Sequence, residues 1–448
     1  MTSFFLAASD AVHDAVPVAW VIPFAVLLLC IAVLPLAKPH WWEHNKNKGI
    51  IATALSVPVV VWLLTGPSHG WHWLEESLLD YAAFIGLLGA LFVISGGIYL
   101  KGSLAGTPLA NTGFMAVGGL IASFVGTTGA SMLLIRPLLR ANAPRQRKAH
   151  IVIFFIFIVS NAGGLLTPLG DPPLFLGFLN GVPFTWTFRL WVEWATVLAI
   201  LLVLFNFWDQ RVFDKEEKDR PGSQLEQVQD VKVPLSIDGK VNLLLLLGVI
   251  AVSYFVGGSP SLAEVPKKLL QVVGYGALVV ASLKLTTKEV RVANRFGWGP
   301  IIEVAVLFIG IFVTMIPAVQ FLDHAGRTGA IALDKPWQFF WASGVLSSFL
   351  DNAPTYKTFA SLAVGVLDLK GNLGVLAADA TGGALLAAVS CGSVFMGANT
   401  YIGNGPNFMV KAIAEEGGVK MPSFFGYMAW SVGILVPIFV LVTFLFFL

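Results

Sequence analysis

Apolar runs of about twenty residues recur along the whole chain, and a run of that length spans the roughly 30 Å hydrocarbon core of a bilayer. The chain has 448 residues, of which 56% are hydrophobic and 12% are charged. These features predict an all-α polytopic membrane protein and give no sign of nucleic-acid binding. The two cysteines, Cys30 and Cys391, lie in apolar runs, where buried, reduced thiols are expected rather than a disulfide or a metal site.

One apolar run, at 149–180, is interrupted by the sequence TPLGDPP at 167–173. Proline removes a backbone donor and clashes with the preceding turn, so a spanning helix is expected to unwind here and restart. A second apolar stretch, at 111–140, has the polar, glycine-rich centre GTTG at 126–129. This pattern predicts a re-entrant hairpin with its tip at mid-membrane, with two short ordinary spans as the alternative.

The same order of runs occurs twice, on either side of a charged segment at 209–239 that is predicted to be a cytoplasmic linker. The first repeat, 1–208, is expected to hold the hairpin at 111–140 and spans at 17–36, 50–65, 79–100, the interrupted 149–180 and 187–208. The second repeat, 240–448, is expected to hold a hairpin at 336–365 and spans at 240–257, 268–286, 300–322, the interrupted 380–412 and 422–448. The prediction is therefore about ten transmembrane spans plus two re-entrant hairpins, with two broken helices.

Similarity between individual residues supports the repeat. The sequence SFVGTTGA at 123–130 aligns with SFLDNAPT, which begins 225 residues later, and TPLGDPP at 167–173 aligns with TYIGNGP, which begins 233 residues later. Because each repeat crosses the membrane an odd number of times, the second repeat is expected to have the opposite orientation. Such inverted-topology repeats are typical of secondary transporters, in which the broken helices meet near the bilayer midplane.

The distribution of positive charge predicts the orientation independently. If the amino terminus is outside, the 28 Lys and Arg all lie on cytoplasmic segments except Arg189, Lys267, Lys268, Arg327, Lys335, Lys357 and Lys370. This bias predicts that both termini lie outside the cytoplasm. The first hairpin then opens from the cytoplasm and the second from the exterior.

Two carboxylates, Asp171 and Asp351, lie deep within apolar sequence. Intramembrane carboxylates usually face a cavity and mark an ion or proton path, although each could instead cap a restarted helix. Lys357 is expected to reach the outer surface or to pair with Asp351. Hydroxyl and amide oxygens suit a hard cation such as sodium, so we expect sodium and proton binding at Asp171, Asp351, Asn352 and Asn404, in a site lined by Thr127, Thr128, Asn161, Thr167, Gly170, Thr355, Asn399, Thr400 and Asn407.

Three stretches resemble one family: NAGGLLTPLGDPPLF at 161–175, SSFLDNAPT at 347–355 and GANTYIGNGPN at 397–407. They are similar to the ion transporter superfamily, which includes NhaD-type sodium/proton antiporters, arsenite permeases and citrate or dicarboxylate carriers. Within it, the chain looks most like the citrate transporter branch that is also labelled sodium:proton antiporter. The resemblance implies a homodimer in a bacterial-type inner membrane, in which a transport part moves against a scaffold part in an elevator-like manner.

The residues predict a secondary active transporter that works by alternating access and exchanges sodium or lithium for protons. Two carboxylates in one site repel a dianion, by about 4 kcal/mol for unit charges at 4 Å and an effective dielectric of 20, whereas a cation and a proton can compete for them. The alternative is sodium- or proton-coupled transport of citrate or a dicarboxylate. No cofactor is expected apart from the transported or coupling ions. Neither His-Glu-x-x-His nor Gly-x-Ser-x-Gly occurs in the spans, so an enzyme is not expected.

Overall fold

A computed structural model of the protein describes residues 16–102, 105–223, 236–259, 261–331 and 333–448. Within these residues, ten helices are long and apolar enough to cross a membrane. The prediction of an all-α polytopic membrane protein is confirmed. The ten include Pro108–Val125, one arm of the first expected hairpin, whereas Val241–Gly257 is shorter than a full span.

The helices of the first half follow the expected order, with two corrections to their bounds. The third predicted span begins at Gly70 rather than at residue 79, and the last one continues to Asp219, so the start of the segment predicted as a linker is helical. Residues 224–235 of that segment lie outside the described residues. The helices are α1 (Ile22–Ala37), α2 (Pro39–Trp42), α3 (Asn45–Thr65), α4 (Gly70–Ser95), α5 (Pro108–Val125), α6 (Thr127–Ala141), α7 (Ala149–Ile158), α8 (Pro172–Leu179) and α9 (Trp191–Asp219).

The helices of the second half repeat this order. They are α10 (Val241–Ala251), α11 (Glu264–Leu285), α12 (Lys288–Ala293), α13 (Gly299–Arg327), α14 (Pro336–Ser347), α15 (Asn352–Val366), α16 (Leu373–Ala378), α17 (Ala380–Met396), α18 (Gly405–Glu416) and α19 (Phe424–Val442). Short π-helical turns follow α10 and α19, and 3₁₀ turns lie at Val18–Val21, Ala162–Leu166, Phe184–Leu190 and Gly397–Asn399.

A two-stranded antiparallel sheet joins the halves. Strand β1 (Tyr99–Lys101) follows α4, and strand β2 (Ser236–Asp238) precedes α10, with Leu100 opposite Ile237. The strands are short, and no other strand occurs in the described residues. On the predicted topology this sheet lies on the cytoplasmic side, where it fixes the start of the second half against the first.

The two interrupted helices lie at the centre of the molecule. Within Ala149–Leu166, 94% of the apolar window is buried by the rest of the chain, and within Ala380–Asn399 the share is 83%. The share is only 17% in Val18–Pro35 and 22% in Glu264–Leu285, so these outer helices leave apolar faces for lipid. Helix α13 packs against α3 and α4 on one side and against α15 on the other, and so connects the outer helices to the centre.

Local chemistry explains the turns between the arms of the expected hairpins. Helix α5 is followed by Gly126, whose φ of 81° is a left-handed conformation that favours glycine, and α6 begins at the next residue. In the second pair, Asp351 precedes α15 and its carboxylate accepts a hydrogen bond from the Ala353 amide at 3.1 Å. That these pairs re-enter the membrane stays a prediction.

A buried charged cluster ties the predicted cytoplasmic ends of α7 and α9 together. The Arg145 guanidinium donates to Asp209 at 2.8 Å and to Glu216 at 2.9 Å, and Nε2 of His150 lies 2.8 Å from the same Asp209 oxygen. Asn111 donates to the other Asp209 oxygen at 3.0 Å. Since the Asp209 side chain has 0% exposure, the cluster is a structural element inside the protein.

Substituting Asp209 by Ala is expected to lower the free energy of unfolding by about 3–5 kcal/mol, because it removes one partner of a buried ion pair and leaves charge behind. Helix α9 provides a control in Asp219, whose pair with Arg147 is exposed. Asp219→Ala is expected to cost less than about 1 kcal/mol. Thermal unfolding of the detergent-purified protein measures both variants, and equal losses would contradict the prediction.

Candidate ion-binding site

The site is built on breaks in two helices. Helix α7 ends at Ile158 and α8 begins only at Pro172, where prolines suit the first helical positions because their missing N–H groups have no helical partner there. Between them the backbone folds back on itself, so that a Cβ atom on Gly170 would lie 2.1 Å from the backbone oxygen of Gly164. The predicted break at 167–173 is present and begins several residues earlier than predicted.

The second break has the same construction. Helix α17 ends at Met396 and α18 begins at Gly405, with a proline next in the chain. A Cβ atom on Gly403 would lie 2.6 Å from the backbone oxygen of Gly397. These two glycines correspond to Gly170 and Gly164 at the 233-residue offset found in the sequence.

Each break is attached to the helix pair of its own half that is expected to form the hairpin. The Thr167 hydroxyl donates to the backbone oxygen of Ser123, and the Thr400 hydroxyl donates to that of Ser348 at 2.5 Å. These pairs correspond to each other at the offsets of 225 and 233 residues that align the two halves. The shared contacts support the alignment, while the opposite orientation of the halves in a membrane stays a prediction.

Asp171 receives hydrogen bonds from three other elements and is 1% exposed. The Thr127 hydroxyl donates to Oδ1 at 2.8 Å, the Asn352 amide to Oδ2 at 2.5 Å, and the Asn404 amide to Oδ1 at 3.2 Å. Among the described residues, no Lys, Arg or His forms an ion pair with it. A buried carboxylate surrounded by neutral donors needs a proton or a cation to offset its charge.

A network of buried amides links the two breaks beside Asp171. Asn161 donates to Asn407 at 2.7 Å, and Asn404 donates to Asn161 at 3.2 Å. Asn407 in turn donates to the backbone oxygens of Gly397 and Thr400 at 2.8 and 2.9 Å. The structure therefore brings these three predicted amide residues together and uses them to hold the broken backbone.

Two buried amide oxygens near this network have no hydrogen-bond partner in the described structure. They are Oδ1 of Asn352 and Oδ1 of Asn399, while the Asn399 amide nitrogen donates to Ser348 at 2.9 Å. An acceptor left without a donor in the interior costs free energy, and a bound cation would satisfy it. Rotation of the Asn352 amide would turn its oxygen toward Asp171.

The second predicted carboxylate has a different local role. Asp351 accepts from the Ala353 amide at 3.1 Å, and the Thr355 hydroxyl donates to the Asp351 backbone oxygen at 3.0 Å. The capping alternative therefore describes Asp351. Asp171 occupies the same position before α8 but makes no capping hydrogen bond through its side chain, and Thr128 lies half-buried beside Thr127.

The sequence did not reveal a cavity of about 880 Å³ beside the site, lined by residues of α4, α8, α13 and α15. We call it the α4–α15 cavity. Its wall includes Lys357, whose ammonium hydrogen-bonds Asn180 and lies 3.8 Å from Asp80. The ion-pair partner of Lys357 is Asp80 of α4 and not Asp351, while the expectation that Lys357 reaches the outer surface stays a prediction. The available signal was Asp80 itself, a charge within a predicted span.

The ten apolar helices, the buried breaks and the cluster of buried polar side chains define an all-α integral membrane protein with a polar centre. The sequence model of a family described as putative citrate transport matches residues 13–447. The chain belongs to this family, which confirms the resemblance to the citrate transporter branch and assigns a transport role. No curated protein matches the chain.

Proposed function

We propose that this protein is a secondary active transporter that exchanges sodium or lithium for protons at Asp171. The observation that carries the proposal is a carboxylate that is 1% exposed, hydrogen-bonded by three neutral side chains and without a cationic partner among the described residues. A proton or a cation can offset its charge, but one excludes the other. Their competition for one carboxylate would couple the two fluxes.

Protonated, Asp171 is neutral and can remain in its buried surroundings at low cost. After it loses the proton, the carboxylate attracts a cation, and the oxygens of Thr127, Asn352 and Asn404 complete a set of hard ligands that suits sodium or lithium. Asp351, at the start of α15, is the second carboxylate of the proposal. The cation is cargo, so the ligands must bind it weakly enough to release it.

Alternating access needs two parts that move relative to each other. The α4–α15 cavity opens between α4, α8, α13 and α15, although α13 and α15 pack against each other beside it. The elevator-like movement, the homodimer and the bacterial-type inner membrane come from the family resemblance, and the external position of both termini comes from the charge bias. These belong to the proposal, as does contact with membrane lipid.

The second candidate function is sodium- or proton-coupled transport of citrate or another carboxylate. The description of the family, putative citrate transport, favours it. In that case Asp171 would hold the coupling ion, and the amino-terminal ends of α8 and α18 would face the anionic substrate.

Flux into liposomes decides between the two functions. The purified protein is reconstituted with a pH-sensitive dye inside, and sodium, lithium, potassium and citrate are added outside in turn. We expect sodium and lithium to drive proton efflux, with potassium and citrate inactive. The second function would replace the first on two results together. Labelled citrate would accumulate in a way that depends on a sodium or proton gradient, and cations would drive no proton movement when citrate is absent.

The Thr127 hydroxyl provides a side-chain test of the site. Thr127→Val keeps the shape of the side chain but removes the hydroxyl that donates to Asp171. A lost hydrogen bond to a charged group costs about 1.5–3 kcal/mol, so the half-saturating sodium concentration should rise about tenfold or more. Thr127→Ser restores the hydroxyl and should stay near the wild-type value. Proton flux, reported by the dye at increasing sodium concentrations, gives the half-saturating concentration for both variants. Equal values for the Val and Ser variants would show that Thr127 is not part of the site.

A further inference from the structure

Asp80 is a buried carboxylate in the wall of the α4–α15 cavity. It faces two ammonium groups, Lys357 of the same wall and Lys268, which does not line the cavity. Lys268 Nζ lies 2.5 Å from Asp80 Oδ1, and these side chains are 6% and 5% exposed. Lys357 reaches the other Asp80 oxygen only at 3.8 Å and hydrogen-bonds Asn180, which itself donates to Asp80 at 3.3 Å. Since Lys268 already balances Asp80, Lys357 is a surplus positive charge, with its side chain 15% exposed.

The other charged groups that line the cavity do not balance Lys357. Glu76 attracts the Lys357 ammonium, but Glu76 and Lys370 are both exposed to solvent, so water screens their charges. Asp323 and Asp368 both pair with Arg327, at 2.9 and 2.7 Å. The described residues around the cavity therefore leave one ammonium group in the wall without a full counter-charge.

This ammonium group lies close to the site along two helices. Lys357 is five residues after Asn352, whose amide donates to Asp171, and a helix rises 1.5 Å per residue, or about 7.5 Å over that distance. On α8 the ammonium group hydrogen-bonds Asn180, nine residues after Asp171, or about 13.5 Å of helix rise. The two helices together place it roughly 10–14 Å from the carboxylate.

We propose that Lys357 is a positioning charge that lowers the cation affinity of the Asp171 site, and that Asp80 holds the Lys357 ammonium and partly balances its charge. This inference rests on the cation exchange proposed above. A like charge roughly 10–14 Å away in a medium of effective dielectric near 20 changes a dissociation constant by about tenfold. A carrier that must release its cation in each cycle gains from such weakening.

The test is sodium binding at equilibrium, measured as sodium-dependent thermal stabilisation of the purified protein at one fixed pH near neutral, because an alkaline pH would also remove the proton of a buried ammonium group. Lys357→Gln should lower the apparent dissociation constant about tenfold, and Lys357→Arg should leave it near the wild-type value. Asp80→Asn, which frees positive charge, should raise it about tenfold. A merely structural role predicts weaker binding for both neutralised variants, so opposite signs identify a charge effect.

Lys370→Gln is the matched control, because it removes the same charge from an exposed position on the same cavity and should leave binding unchanged. Unchanged or weaker binding in Lys357→Gln overturns the inference. If Asp80→Asn does not fold, the comparison of Lys357→Gln with Lys357→Arg decides alone. Sodium could stabilise the wild type but not Asp171→Asn, while Lys357→Gln has the same dissociation constant for sodium as the wild type. In that case only this inference fails. If sodium does not stabilise the wild type, the proposed cation exchange fails with it.

Discussion

Replacing Asp171 by Asn is expected to reduce cation-driven proton flux at least about a hundredfold, to the level of empty liposomes. Asn has nearly the same shape but cannot be ionised, so it neither carries a proton nor supplies the negative charge that attracts a cation. Thr127, Asn352 and Asn404 surround this position, but all three are neutral. The dye assay at a fixed inward sodium gradient measures the loss.

Asp379→Asn is the control for this change. Asp379 is exposed and caps α17 by accepting from the Gly382 amide at 2.7 Å, and Asn caps helices about as well as Asp, so flux should be unchanged. Asp351→Asn should give an intermediate loss, since Asn preserves the cap of α15 but removes the second carboxylate. Full flux in both Asp171→Asn and Asp351→Asn would show that the exchanging group lies elsewhere.

Substituting Gly170 or Gly403 by Ala should destabilise the protein strongly, by more than about 3 kcal/mol each. The new Cβ atom would lie 2.1 Å from the Gly164 backbone oxygen in the first case and 2.6 Å from that of Gly397 in the second. Backbone atoms can give way only if the whole break moves, and overpacking of this kind is among the few mechanisms that produce so large a loss. Thermal unfolding and the folded yield after membrane extraction measure it.

The chain contains a control for this prediction two residues beyond Gly403. A Cβ atom on Gly405 would have no atom within 4 Å from outside its own stretch of helix. Gly405→Ala at the start of α18 should therefore be neutral or slightly stabilising, since alanine favours the helix. If Gly403→Ala and Gly405→Ala unfold at the same temperature, the close backbone approach in the break is not a requirement of the fold.

Much of the fold could be predicted because it depends on properties of single, continuous segments of the sequence. A hydrophobic run near twenty residues is long enough to span a bilayer, and the prolines at 168, 172 and 173 interrupt a helix wherever it is placed. The start of α4 and the end of α9 were less accurate, as helix ends are set partly by packing. The charged segment at 209–239 looked like a linker because it is polar, yet Asp209 is buried by Arg145 and His150 from elsewhere in the sequence.

The candidate site was predicted in part. Asp171 stood out as a carboxylate within an apolar run, and Asn352 and Asn404 were grouped with it because amide oxygens suit a hard cation. The structure places both amides in hydrogen-bond contact with Asp171. The roles of the two carboxylates could not be separated, because both precede a restarting helix. Only the contacts show that Asp351 caps its helix while Asp171 receives the amides.

By itself, the sequence determined the membrane class, the positions of the two breaks and the candidate carboxylates, since length, proline and charge in apolar surroundings have direct physical consequences within a single segment. The tertiary structure alone decided which groups meet. Asn352 reaches Asp171 across 181 residues, and Lys357 reaches Asn180 across 177, and no local pattern encodes either pairing. Contacts between residues so far apart in the sequence depend on how the helices pack. A buried polar group forms hydrogen bonds with the partners that the neighbouring helices place within reach.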